Sequence, residues 1–147
     1  MSKRPPSAGS PVYRSRAAVA PKKKVQRILV VDDEPDFARS LILLLGMWGY
    51  GCMAVHQAAQ AEAIALTYKP DVALIDLRMP DMDGETLAAR FTQNAQLAGT
   101  ALIAVSGYLD REDERRLKDS GFTESLQKPL PMDCLEYLLD EIGRRAA

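Results

Sequence analysis

Cysteine and histidine are nearly missing from this 147-residue chain, which has two of the first, Cys52 and Cys134, and one of the second, His56. Two thiols without patterned spacing exclude a disulfide framework and a thiolate metal cluster. Both are expected to serve as small, reduced core residues. A single imidazole with no second imidazole or thiolate placed to join it reads as a structural or surface residue. Long apolar runs are also absent. The longest, Leu41 to Trp48, is well short of the roughly 18 residues that a membrane span needs, so no membrane association is expected. No apolar signal core follows Met1, which makes a cytoplasmic location the expectation. Acid is missing from residues 1–27, which carry eight Lys or Arg; the rest of the chain holds 11 basic and 20 acidic residues.

Residues 1–26, rich in Pro, Ser, Ala, Lys and Arg, have almost nothing to bury and are expected to form a disordered basic tail or linker. Clustered cations of this kind touch phosphate without sequence preference, but nucleic acid is not expected as a partner. Residues 27–147 suit one domain of ordinary size. Within them, short runs rich in Val, Ile, Leu and Ala alternate five times with stretches of helical period, the pattern of repeated βα units. The strands are expected at Arg27–Val31, Cys52–His56, Asp71–Ile75, Thr100–Val105 and Thr123–Gln127. The helices are expected at Pro35–Trp48, Gln60–Tyr68, Gly84–Asn94, Asp110–Ser120 and Pro131–Arg144. Right-handed crossovers put helices on both faces of a parallel sheet. The predicted architecture is α/β, a three-layer αβα sandwich around a doubly wound, flavodoxin-like five-stranded sheet. The most apolar strands belong at its centre, which suits the order 2-1-3-4-5.

In such a sheet the carboxyl ends of all the strands open onto one edge. Asp32 and Asp33 follow the first strand, Asp76 the third, Ser106 the fourth and Lys128 the fifth. Taken singly, each has an ordinary use: Asp32-Asp33-Glu34 as a helix cap, Ser106-Gly107 as a turn, Lys128 as a solvated cation. Taken together they make a polar site. Two carboxylates about 4 Å apart repel by roughly 4 kcal/mol at an effective dielectric near 20, so three in one place imply a divalent cation. Oxygen ligands favour Mg²⁺, or Mn²⁺ in its place. An Asp carboxylate is also a competent nucleophile toward phosphorus. Asp76 is the best placed, since the loop-forming stretch Leu77-Arg78-Met79-Pro80-Asp81-Met82-Asp83-Gly84 follows it. Lys128 supplies a point charge for Asp76 or a phosphate oxygen, and Ser106 a hydroxyl donor.

Residues 27–145 resemble the receiver domain of two-component response regulators. The resemblance rests on Asp32-Asp33, on Asp76 with Met79-Pro80-Asp81-Met82-Asp83-Gly84, on Ser106-Gly107 and on Lys128-Pro129. It implies that Asp76 is the phosphoacceptor, charged from a histidine of a sensor histidine kinase or of a histidine phosphotransfer protein. It implies further that Asp33 binds Mg²⁺ directly and Asp32 through water, with the backbone carbonyl of Arg78 completing the protein ligands. Lys128 would contact the phosphoryl group through a chain in which the Lys128–Pro129 bond is cis. Phosphorylation would shift the surface of helix four, strand five and helix five toward a downstream protein target. One departure is Ser125, where the family usually has Tyr or Phe. Tyr108 is the nearest aromatic substitute and is expected to gate the site, tuning with Arg78 the access of hydrolytic water.

On helix one, Phe37, Leu41, Leu44 and Trp48 are expected to pack on the sheet, while Leu43 and Met47 lie on another face and suggest a docking patch for the phosphodonor. The alternative function is a phosphorylation-independent protein-binding module with the same fold. Turnover catalysis is not expected beyond the chain's own phosphorylation and dephosphorylation, because no second Asp stands two residues after a nucleophilic Asp at the end of strand one. Flavin binding would need a phosphate loop after strand one, and none is there.

Overall fold

The computed structural model describes residues 25–145, so the expected tail lies outside the described residues except for Val25 and Gln26. Ten elements alternate along the chain: β1 (Arg27–Val31), α1 (Pro35–Met47), β2 (Gly51–Val55), α2 (Ala58–Tyr68), β3 (Val72–Asp76), α3 (Gly84–Gln93), β4 (Ala101–Ser106), α4 (Arg111–Asp119), β5 (Glu124–Gln127) and α5 (Met132–Arg145). The strands pair in parallel in the order β2-β1-β3-β4-β5. The sequence places every element within two residues of its observed ends.

Alternation of side chains along each strand feeds two cores. Leu29, Val31, Ala73, Ile75, Leu102 and Ala104 face α2, α3 and α4, meeting Ala61, Leu87, Phe91 and Leu117. Ile28, Val30, Leu74, Ile103 and Val105 face the other way, onto Leu41, Leu45, Leu135 and Leu139 of α1 and α5. β3 is buried along its whole length, which is why its sequence reads as continuous rather than alternating apolar residues.

Three local differences from the sequence reading have physical causes. The inward stripe of α1 is Ala38, Leu41 and Leu45, with Phe37 and Trp48 only partly buried and Leu44 half-buried outside it. The helix is apolar nearly all round, so periodicity alone does not choose between adjacent stripes; the one centred on small Ala38 lets it approach the sheet. α2 starts two residues earlier than its sequence suggests. Gln57 precedes it without any side-chain cap, and the cap comes instead from Asp81, whose carboxylate accepts the backbone N–H groups of Ala58 and Ala59 at 3.3 and 2.9 Å. Of the cysteines, Cys134 is exposed on α5 rather than in the core, and Cys52 is half-buried with its thiol pushed up to about 11 by burial.

Candidate functional site: an acidic cluster at the carboxyl edge of the sheet

The edge holds what the topology predicts. Asp32, Asp33 and Asp76 each bring a ligand oxygen to within 4.8 Å of the others, with Asp32 and Asp76 buried and Asp33 half-buried. Asp32 is fixed from several sides. Its N–H donates to the Val55 carbonyl at 2.9 Å, its Oδ1 accepts the Glu34 N–H at 2.8 Å, and its carbonyl meets His56 Nδ1 at 2.9 Å. His56 is otherwise exposed.

Asp76 closes β3, and its Oδ1 accepts the N–H of Arg78 at 3.1 Å. That bond keeps the Arg78 peptide beside the carboxylate while the Arg78 residue is exposed. The loop then turns back sharply. A Cβ on Gly84 would stand 2.9 Å from Leu77 Cα and 3.1 Å from the Asp76 carbonyl oxygen, so only glycine lets α3 begin so close to the acid. Asp83 caps α3 by accepting the Thr86 N–H at 2.8 Å. Asp81 reaches the other way to α2, as described, so the loop after Asp76 is held at both ends.

Lys128 follows β5, and its bond to Pro129 is cis, as the resemblance implies. Its Nζ lies 3.2 Å from Asp32 Oδ2, 3.3 Å from Glu34 Oε1 and 4.0 Å from Asp76 Oδ2. It also sits 4.3 Å from the centroid of the Phe37 ring. The ammonium therefore belongs to the cluster but leans toward Asp32 and Glu34. Ser106 is buried at the end of β4, one residue beyond the Val105 that pairs with Asp76. Its hydroxyl donates to the Tyr108 carbonyl at 3.1 Å and accepts the Tyr108 N–H at 3.3 Å. Tyr108 is 62% exposed. Ser125 sits half-buried on edge strand β5, paired with Ala104. Leu43 and Met47 are 64% and 82% exposed on the outer face of α1.

With this geometry in place, the comparisons decide the family. The model of the response regulator receiver domain matches residues 28–140. The chain belongs to that family. It is 33% identical over 120 residues to the sensor histidine kinase RcsC of Escherichia coli, a match covering 80% of this chain and 12% of the kinase. It is 32% identical over 109 residues to the transcriptional regulatory protein KdpE of Mycobacterium tuberculosis, covering 72% of this chain and 46% of that regulator. The chain thus spans less than half the length of either relative. The signal receiver domain of a DNA-binding response regulator from Colwellia psychrerythraea 34H superposes with a TM-score of 0.73 at 28% identity, covering 78% of this chain and 94% of that domain.

The electrostatics of this receiver follow from its crowding. Burial is the largest influence on Asp76 and, with the charges of Asp32 and Asp33, pushes its carboxyl up to about 6 against the pull of the Arg78 N–H and Lys128. Burial works against the Lys128 ammonium, but its hydrogen bond and attraction to Asp32, with the charge of Asp76, leave its pKa raised. Hard oxygen donors, two of them buried and all mutually repelling, suit a divalent cation such as Mg²⁺.

The residues singled out in the sequence do meet at this edge, but three contacts there are not foreseen. Glu34 reads as a possible cap for α1, yet its side chain caps nothing there and instead meets Lys128. Phe37 reads as core, yet its ring underlies the ammonium. Asp81 reads as loop, yet it caps a helix 22 residues away. For Glu34 and Phe37 the available signal is their place in the first turn after Asp33. For Asp81 it is the missing cap at Gln57.

Proposed function

We propose that this receiver is a phosphoacceptor of a two-component or phosphorelay system, charged on Asp76 from a phosphohistidine of a sensor histidine kinase or histidine phosphotransfer protein. The observation that carries the reading is the meeting of three carboxylates with the Lys128 ammonium at one open sheet edge. An Asp76 carboxylate oxygen attacks phosphorus; the P–O bond forms as the P–N bond breaks, and the donor, a phosphohistidine protonated on its other ring nitrogen, leaves as neutral imidazole keeping that proton. Mg²⁺, or Mn²⁺ in its place, held by Asp32, Asp33, Asp76 and the Arg78 carbonyl, would supply charge neutralisation at the transferring group. Lys128 would donate to a phosphoryl oxygen.

Ser106 must release the Tyr108 backbone before its hydroxyl can turn to a phosphoryl oxygen, because both of its present bonds go to that residue. The release moves the turn that precedes α4, and this is how the event would reach the α4, β5 and α5 surface and a downstream protein target. Exposed Tyr108 and Arg78 then limit the access of hydrolytic water; the phosphorylated half-life should change in Tyr108→Ala or Arg78→Ala, and no change in either would refute the gate. Leu43 and Met47 offer an apolar docking patch for the phosphodonor. Leu43→Asp should slow transfer while leaving thermal unfolding nearly unchanged, and undiminished transfer would refute the docking role.

The chain performs no turnover beyond gaining and losing its own phosphoryl group, and a cytoplasmic setting suits a kinase partner. Among the described residues no helix is long and apolar enough to cross a membrane. Incubation with acetyl phosphate and Mg²⁺ should add one phosphate to the intact mass, and Asp76→Asn should abolish the gain. A protein that takes no phosphate, yet still binds a partner, would instead be a phosphorylation-independent module.

A further inference from the structure

We infer that Glu34 and Phe37 form a resting berth for the Lys128 ammonium, competing with a phosphoryl group on Asp76 for that charge, so that Glu34 acts as a brake on phosphorylation. The inference rests on the reading of Asp76 as phosphoacceptor. An ammonium has three donors. In this structure Asp32 takes one at 3.2 Å, Glu34 takes another at 3.3 Å, and the ring of Phe37 lies 4.3 Å away, a favourable place for a cation. Asp76 is the most distant of the three carboxylates at 4.0 Å. Moving Nζ onto a phosphoryl oxygen therefore means giving up a resting contact.

The two carboxylates differ in what their loss involves. The Asp32 side chain is 2% exposed, so water cannot replace a lost partner there. The Glu34 side chain is 65% exposed, and water takes over its oxygen readily. Glu34 is the contact surrendered. An interaction present before transfer and absent after it stabilises only the starting state and slows the step. Because the pair is exposed, its effect is small, and releasing it should speed phosphorylation by roughly two- to five-fold.

Two variants separate contact from charge. Glu34→Gln removes both. Glu34→Asp keeps the charge but is one methylene shorter, and at the N-cap of α1 its carboxylate should turn to the free N–H groups of the first helical turn. Both should accelerate phosphorylation by acetyl phosphate about equally, tighten beryllofluoride binding by the same factor, and leave the dephosphorylation rate unchanged, since the contact is absent from the phosphorylated state. Acceleration in Gln alone would mean that only the charge repels the anionic donor, and would overturn the berth. Unchanged rates in both, with Asp76 still phosphorylated, would overturn the berth and leave the phosphoacceptor reading intact. A wild-type protein that takes no phosphate would overturn both. A measurement free of the reaction is the NMR shift of the Lys128 ε-methylene in metal-free protein: it should move in Glu34→Gln, Glu34→Asp and Phe37→Leu, and constancy in all three would refute the berth.

Discussion

Replacing Asp76 should make the divalent-free protein more stable. Asp76 has its carboxyl pushed from 3.8 up to about 6, chiefly by burial, with Asp32 and Asp33 adding to the shift. Between those two values the folded protein holds a proton that the unfolded chain has released, so stability falls as pH rises through that window and levels off above it. At about 1.36 kcal/mol per pH unit the penalty reaches about 3 kcal/mol at neutral pH. Asp76→Asn removes the charge and keeps an oxygen for the Arg78 N–H, but gives up the attraction of Lys128 at 4.0 Å. The net gain should be about 1–2 kcal/mol, or roughly 3–8 °C in Tm for a domain of this size. Circular dichroism melts in EDTA at pH 7.5 and pH 4 provide the assay. The gain should be clear at pH 7.5 and close to zero at pH 4, where folded Asp76 is already protonated. Mg²⁺ at ten times its Kd should add about 1.4 kcal/mol to the wild type and narrow the gap. An Asn variant that is less stable at pH 7.5 in EDTA, or equally stabilised at both pH values, would refute the reasoning.

Gly84→Ala should cost about 1–3 kcal/mol by overpacking, because its methyl would press on Leu77 and the Asp76 carbonyl; chemical denaturation measures it. Asp81→Ala should cost about 0.5–2 kcal/mol as a lost cap, and hydrogen exchange should quicken at the N–H groups of Ala58 and Ala59 in particular. Gly46→Ala should stabilise by up to about 1 kcal/mol, since an added Cβ there meets nothing within 4 Å on an exposed helical turn; a lowered Tm would contradict it.

The parts of this receiver legible in the sequence are those set by local period and by topology. Strand interiors such as Val72–Ile75 announce themselves as apolar runs, and a parallel sheet brings their carboxyl ends together whatever the intervening loops do. That is enough to gather Asp32, Asp33, Asp76, Ser106 and Lys128. What the sequence does not carry is contact across the fold. Asp81 caps α2 from another loop, so Ala58 and Ala59 look uncapped when read along the chain. Lys128 leans on Glu34 and Phe37 because its side chain reaches from the end of β5 across to the first turn of α1, a contact between residues far apart in the sequence. The inward stripe of α1 is hidden for a different reason: Leu44 and Leu45 are equally apolar, and only packing against the sheet chooses between them.

The opposite edge of the sheet has its own fastening. A single carboxylate oxygen of Asp71 accepts the backbone N–H groups of both Gln26 and Arg27, at 2.7 and 2.9 Å, and Val25 is buried just before them. The polypeptide therefore enters the domain at a pinned point, about 15 Å along β1 from the acidic pocket at roughly 3.3 Å per residue. A fluorophore carried on exposed Gln26 would sit at the far end of the sheet from the acidic pocket.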